Sequence, residues 1–252
     1  QYTQRFFLLK KCGQILIKKI FIISLKNTKL LQENLEVLLT EISKRILTSI
    51  FLITLIYLAV INIYILLVSL IIVFIQIIVE FHNLLKKIFF KKKFIMYISL
   101  FLIQIYTLIL LLSVFVVISN NDIEARIFLL IIFMVCVFTD LGGYFFGKTF
   151  KGKKLTKISP KKTYSGMVGS YILSTFVVYI SFTNYLSTKE LLFFIFLISS
   201  ISQAGDIFFS MLKRKAKLKD TGTFLPGHGG ILDRIDGLYF AIPLGLLIIN
   251  KL

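Results

Sequence analysis

The amino-acid sequence predicts an all-α, polytopic membrane protein of about seven helical spans. Three observations carry that expectation. Hydrophobic side chains make up 57% of the 252 residues and the mean hydropathy is +0.89, above the roughly 45–50% apolar content of soluble domains. The apolar residues fall in long blocks, for which lipid is the fitting solvent. The net charge is +18, from 30 basic and 12 acidic residues, and the basic residues lie between the blocks.

The elements follow in order. Residues 1–31 hold seven basic residues and no acid, and the apolar run Ile15–Leu25 is split by Lys18 and Lys19. An interfacial helix, a targeting segment or a plain extension all fit that pattern. Residues 1–37 are therefore set apart as a basic N-terminal extension, and 38–252 as the transmembrane domain. Ile46–Val79 is almost wholly apolar and too long for one crossing of ~20 residues. It reads as two helices, about 46–61 and 63–79, turning near Asn62. A third span runs from about Phe94 to Ile118.

The later spans are less uniform. Ile127–Phe138 is too short, so a crossing must continue through Asp140 and Gly143 towards Gly147. Gly166–Phe182 makes a fifth span. Leu191–Ile201 must continue through Gln203 and Asp206, and Leu238–Ile249 reaches bilayer length only by taking in Ile231–Asp236.

Loops 80–94, 148–165 and 210–236 hold five, seven and six basic residues, whereas the opposite ends hold three, Arg126, Lys189 and Lys251. The positive-inside rule makes the first set cytoplasmic, and seven spans keep the alternation consistent. A nucleic-acid-binding protein is a poor fit, because the basic residues do not line one soluble face. Anionic lipid and anionic substrates suit them better. Cys12 and Cys136 imply neither a disulfide framework nor a zinc site.

This orientation places Asp140, Asp206, Asp233 and Asp236 at the cytoplasmic ends of three helices, at similar depth. A carboxylate in that layer is costly unless it pairs, faces water or holds a cation. Carboxylates beside many lysines suit a phosphate site, since Mg²⁺ is usually held by a few acids plus phosphate oxygens and lysine supplies point charges. Phosphoryl or nucleotidyl chemistry on the cytoplasmic side is the expectation. Gly227, Gly229 and Gly230 precede the last helix, where backbone N–H groups can approach an anion. His228 stands between a basic stretch and an acidic helix start. The proline-stiffened run Ser159-Pro160-Lys161-Lys162-Thr163, with Gly166 just after it, is a candidate substrate-binding loop. A cation or phosphate transporter is disfavoured, because there is no internal repeat and the acids lie at one face rather than at the midplane.

Ser210, Lys213-Arg214, Lys219-Asp220, Pro226, His228-Gly229-Gly230, Asp233-Arg234 and Asp236 together resemble the C-terminal motif of the phosphatidate cytidylyltransferase (CDP-diacylglycerol synthase) family. Gln203-Ala204-Gly205-Asp206, Asp140 through Gly147, Ser159 to Thr163 and Glu80-Phe81 are similar to further segments of that family. One departure is clear: the family's Trp-Glu-Gly after the lysine pair is Tyr164-Ser165-Gly166 here, so that glutamate has no counterpart.

The resemblance implies an enzyme that transfers CMP from CTP to phosphatidate, releasing pyrophosphate, with Mg²⁺ and a second monovalent or divalent cation as expected cofactors. It implies metal binding by Asp206, Asp233 and Asp236. Catalytic roles fall to Asp220, His228, Lys219 and Arg234, and substrate binding to Ser159, Lys161, Lys162, Lys213, Arg214, Gly229 and Gly230. The expected setting is a bacterial inner membrane, with membrane lipid and a second copy of the chain as partners and no nucleic acid. A CTP-dependent lipid kinase is the alternative, and it would need a base for the lipid hydroxyl.

Overall fold

The computed structural model describes residues 42–120, 122–156, 159, 162–183, 185, 187–225 and 229–249; the extension expected over 1–37 lies outside them. The described elements are α1 (Ile42–Ile61), α2 (Ile63–Ile88), α3 (Lys93–Ser119), α4 (Ile123–Phe150), α5 (Tyr164–Phe182), α6 (Thr188–Lys215), the single turn α7 (Leu232–Ile235) and α8 (Leu238–Ile249). The chain divides into two units, Gln1–Leu52 and Ile53–Leu252. The described part of the first, residues 42–52, is helical. The second holds the rest of α1 and all of α2 to α8.

Among the described residues six helices, α1 to α6, are long and apolar enough to cross a membrane, so the protein is all-α and polytopic. Helices are what such blocks must form, because lipid offers no partner for a free N–H or C=O. The expected break at Asn62 is present: its side chain accepts from the N–H of Tyr64 at 2.9 Å and of Ile65 at 3.4 Å, starting α2. Thr163 caps α5 by accepting from Gly166 N at 3.1 Å. Ser187 and Glu190 form a capping box on α6. At its far end, α6 closes with Lys217 in the left-handed region (φ 56) and Leu218 N bonded to Lys213 O at 2.8 Å, a Schellman-type ending.

The last block differs from the sequence expectation. Residues 231–249 do not form one helix but split at Asp236–Gly237 into α7 and a 12-residue α8, about 18 Å long at 1.5 Å per residue. The split accompanies close backbone approach: a Cβ on Gly205 of α6 would lie 2.6 Å from the Asp236 carbonyl oxygen. The α6 backbone therefore sits directly against the junction.

Lipid tails are as apolar as leucine, so cohesion inside the membrane depends on close packing and polar links. Helices α4 and α5 meet through small residues, where a Cβ on Gly142 would lie 2.6 Å from Gly169 O and one on Gly166 2.7 Å from Gly143 O. Ser170 Oγ donates to Thr139 O at 2.7 Å, and Thr139 Oγ1 to Ser199 Oγ at 2.9 Å, tying α5, α4 and α6 together. Pro243 lies inside α8, and proline has no N–H to bond the carbonyl four residues back. That carbonyl belongs to Tyr239, and the Tyr106 hydroxyl of α3 donates to it at 2.8 Å.

Two buried apolar clusters result. One draws Ile131, Val135, Val178, Phe194, Ile198 and Ala241 from α4, α5, α6 and α8. The other draws Ile77, Phe81, Leu110, Phe209, Leu232 and Tyr239 from α2, α3, α6, α7 and α8. Helix α6 contributes to both, and the stretch between its two contributions carries Ser202, Gln203 and Asp206. This polar belt is where the site forms.

Candidate active site

The site has a dry half and an open half. In the dry half, Asp233 on α7 is enclosed by donors. Its Oδ1 accepts from Lys213 Nζ at 2.8 Å, and its Oδ2 from the N–H groups of Thr221 at 2.8 Å and Gly230 at 3.1 Å. The two side chains of the Lys213–Asp233 pair are only 13% and 7% exposed. Burial alone would push the Asp233 carboxyl up. Lys213 and the backbone donors overcome it and hold the group below the ordinary carboxylate range.

Gly229, at φ +84, needs glycine's freedom. Its N–H and C=O pair with Leu225 at 3.1 and 2.9 Å. Thus two of the three glycine amides expected to face an anion, those of Gly229 and Gly230, are engaged within the protein, Gly230's by Asp233 itself; Gly227 lies outside the described residues.

The open half is a cavity of about 230 Å³ bounded by α4, α5, α6 and the 151–163 loop, with Asp140, Tyr144, Lys162, Thr163, Gln203 and Asp206 in its lining. Lys162 forms an ion pair with Asp206. It is delivered by a folded loop in which Ser159 N donates to Thr156 Oγ1 at 3.1 Å, Lys162 N to Ser159 O at 3.1 Å and Leu155 N to Lys162 O at 2.8 Å. Ser159 therefore shapes the turn that presents Lys162. Ser165, where the family's glutamate is missing, donates to Lys151 O and ties the loop's two ends.

Asp236 joins the halves. Its Oδ1 accepts from Gly237 N at 2.9 Å, and the charges of Asp206, Asp140 and Lys213 all bear on it. The acids expected in one layer thus sort into Asp140 and Asp206 in the cavity lining, Asp236 near them, and Asp233 in the dry half. Arg214, Lys219, Asp220 and Arg234 are exposed at the rim, with Arg214 donating to Leu218 O at 3.4 Å. Lys161 and His228 lie outside the described residues.

Glu80 was not among the site residues expected from sequence. It sits on α2 at 1% exposure and accepts from Thr221 Oγ1 at 2.6 Å, Ile231 N at 2.8 Å, Leu232 N at 3.0 Å and Gln76 Nε2 at 3.2 Å. The sequence signals were an acid at the end of an apolar block, read there as the first residue of a loop, and the resemblance of Glu80-Phe81 to a family segment, to which no role was attached.

Among the described residues, no three His, Cys, Asp or Glu side chains form a metal site by themselves. Mg²⁺ does not require one, because it is usually bound through one or two carboxylates, waters and substrate phosphates. Asp206, in the cavity lining, and Asp236, close enough to feel its charge, are hard oxygen donors that fit that chemistry. Asp233, with both oxygens already taken, fits it less well.

A helical membrane protein with carboxylates and lysines gathered where its helices meet basic loops is the class that this fold and site define. Within that class, residues 8–252 match the model of the Cytidylyltransferase family, and the chain belongs to it. The match includes residues 8–37, part of the stretch set apart as an extension. Proteins named phosphatidate cytidylyltransferase are similar to it. That of Rickettsia felis is 43% identical over 107 residues, 38% of this chain and 47% of the relative. That of Rickettsia typhi is 37% identical over 135 residues, 50% and 58% respectively. That of Staphylococcus saprophyticus is 41% identical over 125 residues, 48% of each. The chain spans about half the length of the curated relatives it matches.

Proposed function

We propose that the protein transfers the CMP moiety of CTP to phosphatidate, forming CDP-diacylglycerol and pyrophosphate at the cytoplasmic face of a bacterial inner membrane. The observation that carries this reading is the cavity lined by Asp140, Asp206 and Lys162, placed where the helices give way to basic loops. There a lipid phosphate at headgroup depth and a cytosolic nucleotide can meet.

Lys162 leaves Asp206 to neutralise nucleotide phosphate, with the rim residues Arg214, Lys219 and Arg234 adding positive charge around the lipid phosphate and the leaving pyrophosphate. Asp206 and Asp236 hold Mg²⁺, which supplies charge neutralisation on the phosphates when bound. Gln203 and Tyr144, also in the lining, offer hydrogen bonds to the nucleotide. No general base is required, because a phosphate monoester already carries about −1.5 to −2 charge near neutrality. Orientation and charge neutralisation then supply most of the catalysis. Asp233 fixes Lys213 and the loop rather than binding the ion.

The test is turnover of labelled CTP with phosphatidate in mixed micelles containing Mg²⁺, comparing the protein with Asp206→Asn. The expected result is phosphatidate-dependent CDP-lipid, reduced about 10²–10³-fold in the variant, the usual loss when one electrostatic group of a reacting site is removed. Release of CDP with a phosphorylated lipid would point instead to a CTP-dependent kinase.

A further inference from the structure

We propose that Glu80 of α2 is a positioning residue for the transfer reaction, setting the Lys213–Asp233 pair through Thr221 and the start of α7; the proposal rests on the functional reading above. A buried acid on a membrane helix is retained for function unless a structural demand explains it. The demand here is specific. Among the described residues, apart from Gln76, its neighbour one turn away, every donor to Glu80 belongs to Thr221, Ile231 or Leu232, in the stretch that leads into Asp233.

Thr221 is the point of transmission. Its backbone N–H bonds Asp233 Oδ2 at 2.8 Å, while its hydroxyl lies 2.6 Å from Glu80 Oε2 and 3.0 Å from Asp233 Oδ2. A hydroxyl has a single proton, which the shorter contact assigns to Glu80. The same residue is thereby gripped by Glu80 on one side and grips Asp233 on the other, and Asp233 in turn holds Lys213. The glycines beside this chain leave room for it. A Cβ on Gly222 would lie 3.2 Å from Glu80 Oε1, and one on Gly230 would collide with both Thr221 Oγ1 and Glu80 Oε2.

Even an isosteric amide cannot replace this carboxylate. Oε1 accepts from Ile231 N and Gln76 Nε2, and Oε2 from Thr221 Oγ1 and Leu232 N. A glutamine, in either orientation, turns its NH₂ group towards a backbone N–H. Aspartate keeps the charge but is one methylene short.

The experiment measures kcat and KM for CTP with phosphatidate, per folded protein, for wild type, Glu80→Gln, Thr221→Val and the double variant. Tryptic cleavage at the basic residues 213–219 is followed in parallel without substrate. Expected are kcat losses of about 10–100-fold for the single variants, the range typical of groups that orient a reacting shell. KM should stay within about twofold, cleavage should be faster, and the double variant should be little worse than the worse single one. Wild-type kcat in Glu80→Gln, or losses in the two singles that multiply in the double, would overturn the proposal. If Glu80→Gln does not fold, Thr221→Val decides it by the same criteria. If the wild type makes no CDP-lipid, the functional reading fails, while unchanged tryptic cleavage in Glu80→Gln would separately refute Glu80's hold on the loop.

Discussion

The two halves of the site are built from the same residue types and put to opposite use. Around Asp233, carboxylate, lysine, threonine and glycine amides satisfy one another and exclude solvent, with side-chain exposures of 13% and 7% for the central pair. Around Asp206, the ion pair with Lys162 is 24% and 28% exposed and borders a cavity. Beyond that pair, among the described residues, Asp206 gains only a 3.4 Å contact from Ser210 Oγ. A group that has spent all its hydrogen bonds on its own chain is scaffold. One held by a single exchangeable partner is available to a ligand. Aspartates 27 positions apart in the sequence, Asp206 and Asp233, therefore divide the work.

That comparison can be broken. The largest expected effect is on stability: Asp233→Asn leaves Lys213 buried without its charge partner and should cost about 3–5 kcal/mol, read as a lower unfolding midpoint in detergent. Because the folded protein holds this carboxyl below its ordinary value, its stabilisation is fully present above about pH 4 and is lost as pH falls further through the depressed value. The gap between wild type and Asp233→Asn should be constant near neutrality and close in acid. A gap that instead widens as pH falls would contradict the assignment.

The open half should respond differently. Lys162→Met should leave the unfolding midpoint nearly unchanged, because partly exposed ion pairs contribute about 0–1 kcal/mol. It should raise the KM for CTP about 10–100-fold, the worth of one charge-assisted hydrogen bond. Equal damage to stability from Lys162→Met and Asp233→Asn would erase the distinction between the halves.

The smallest effect sharpens the comparison with the rest of the fold. Tyr106→Phe orphans the Tyr239 carbonyl that Pro243 leaves unbonded and should cost about 1–3 kcal/mol. Pro243→Ala restores an N–H to that position, so the double variant should recover most of the loss with little change in turnover. No recovery would show that the hydroxyl is needed for something other than the missing helical bond.

Much of this architecture was legible in the sequence, because lipid imposes simple demands. The break at Asn62 followed from the length of the apolar run, and α5 from a block long enough to span. Helix ends were less legible. The second span was expected to stop at residue 79, yet α2 continues to Ile88, since Glu80 finds donors inside the protein and need not mark a loop. Likewise α6 runs past Asp206 to Lys215, its last turns lying in the basic zone where hydropathy carries no signal.

Within the site, the gathering of acids and lysines could be inferred from depth and charge. The partners of each acid could not. The resemblance grouped Asp206, Asp233 and Asp236 as metal ligands without giving the partners each has inside the protein: Asp233 accepts from Thr221 and Lys213, and Asp236 feels the charges of Asp206 and Asp140. Glu80 was missed because its partners lie 141 to 152 residues away, a distance over which periodicity and local motifs say nothing.

The measurement that bears most directly on this division of labour is Mg²⁺-dependent binding of CTP in lipid nanodiscs, by titration calorimetry, for wild type, Asp206→Asn and Asp233→Asn, each assayed below its unfolding temperature. The account predicts that Asp206→Asn abolishes Mg²⁺-dependent binding while keeping the wild-type unfolding midpoint, and that Asp233→Asn unfolds earlier but still binds when folded. Binding lost in folded Asp233→Asn and retained in Asp206→Asn would contradict it and return the ion to the dry half of the site.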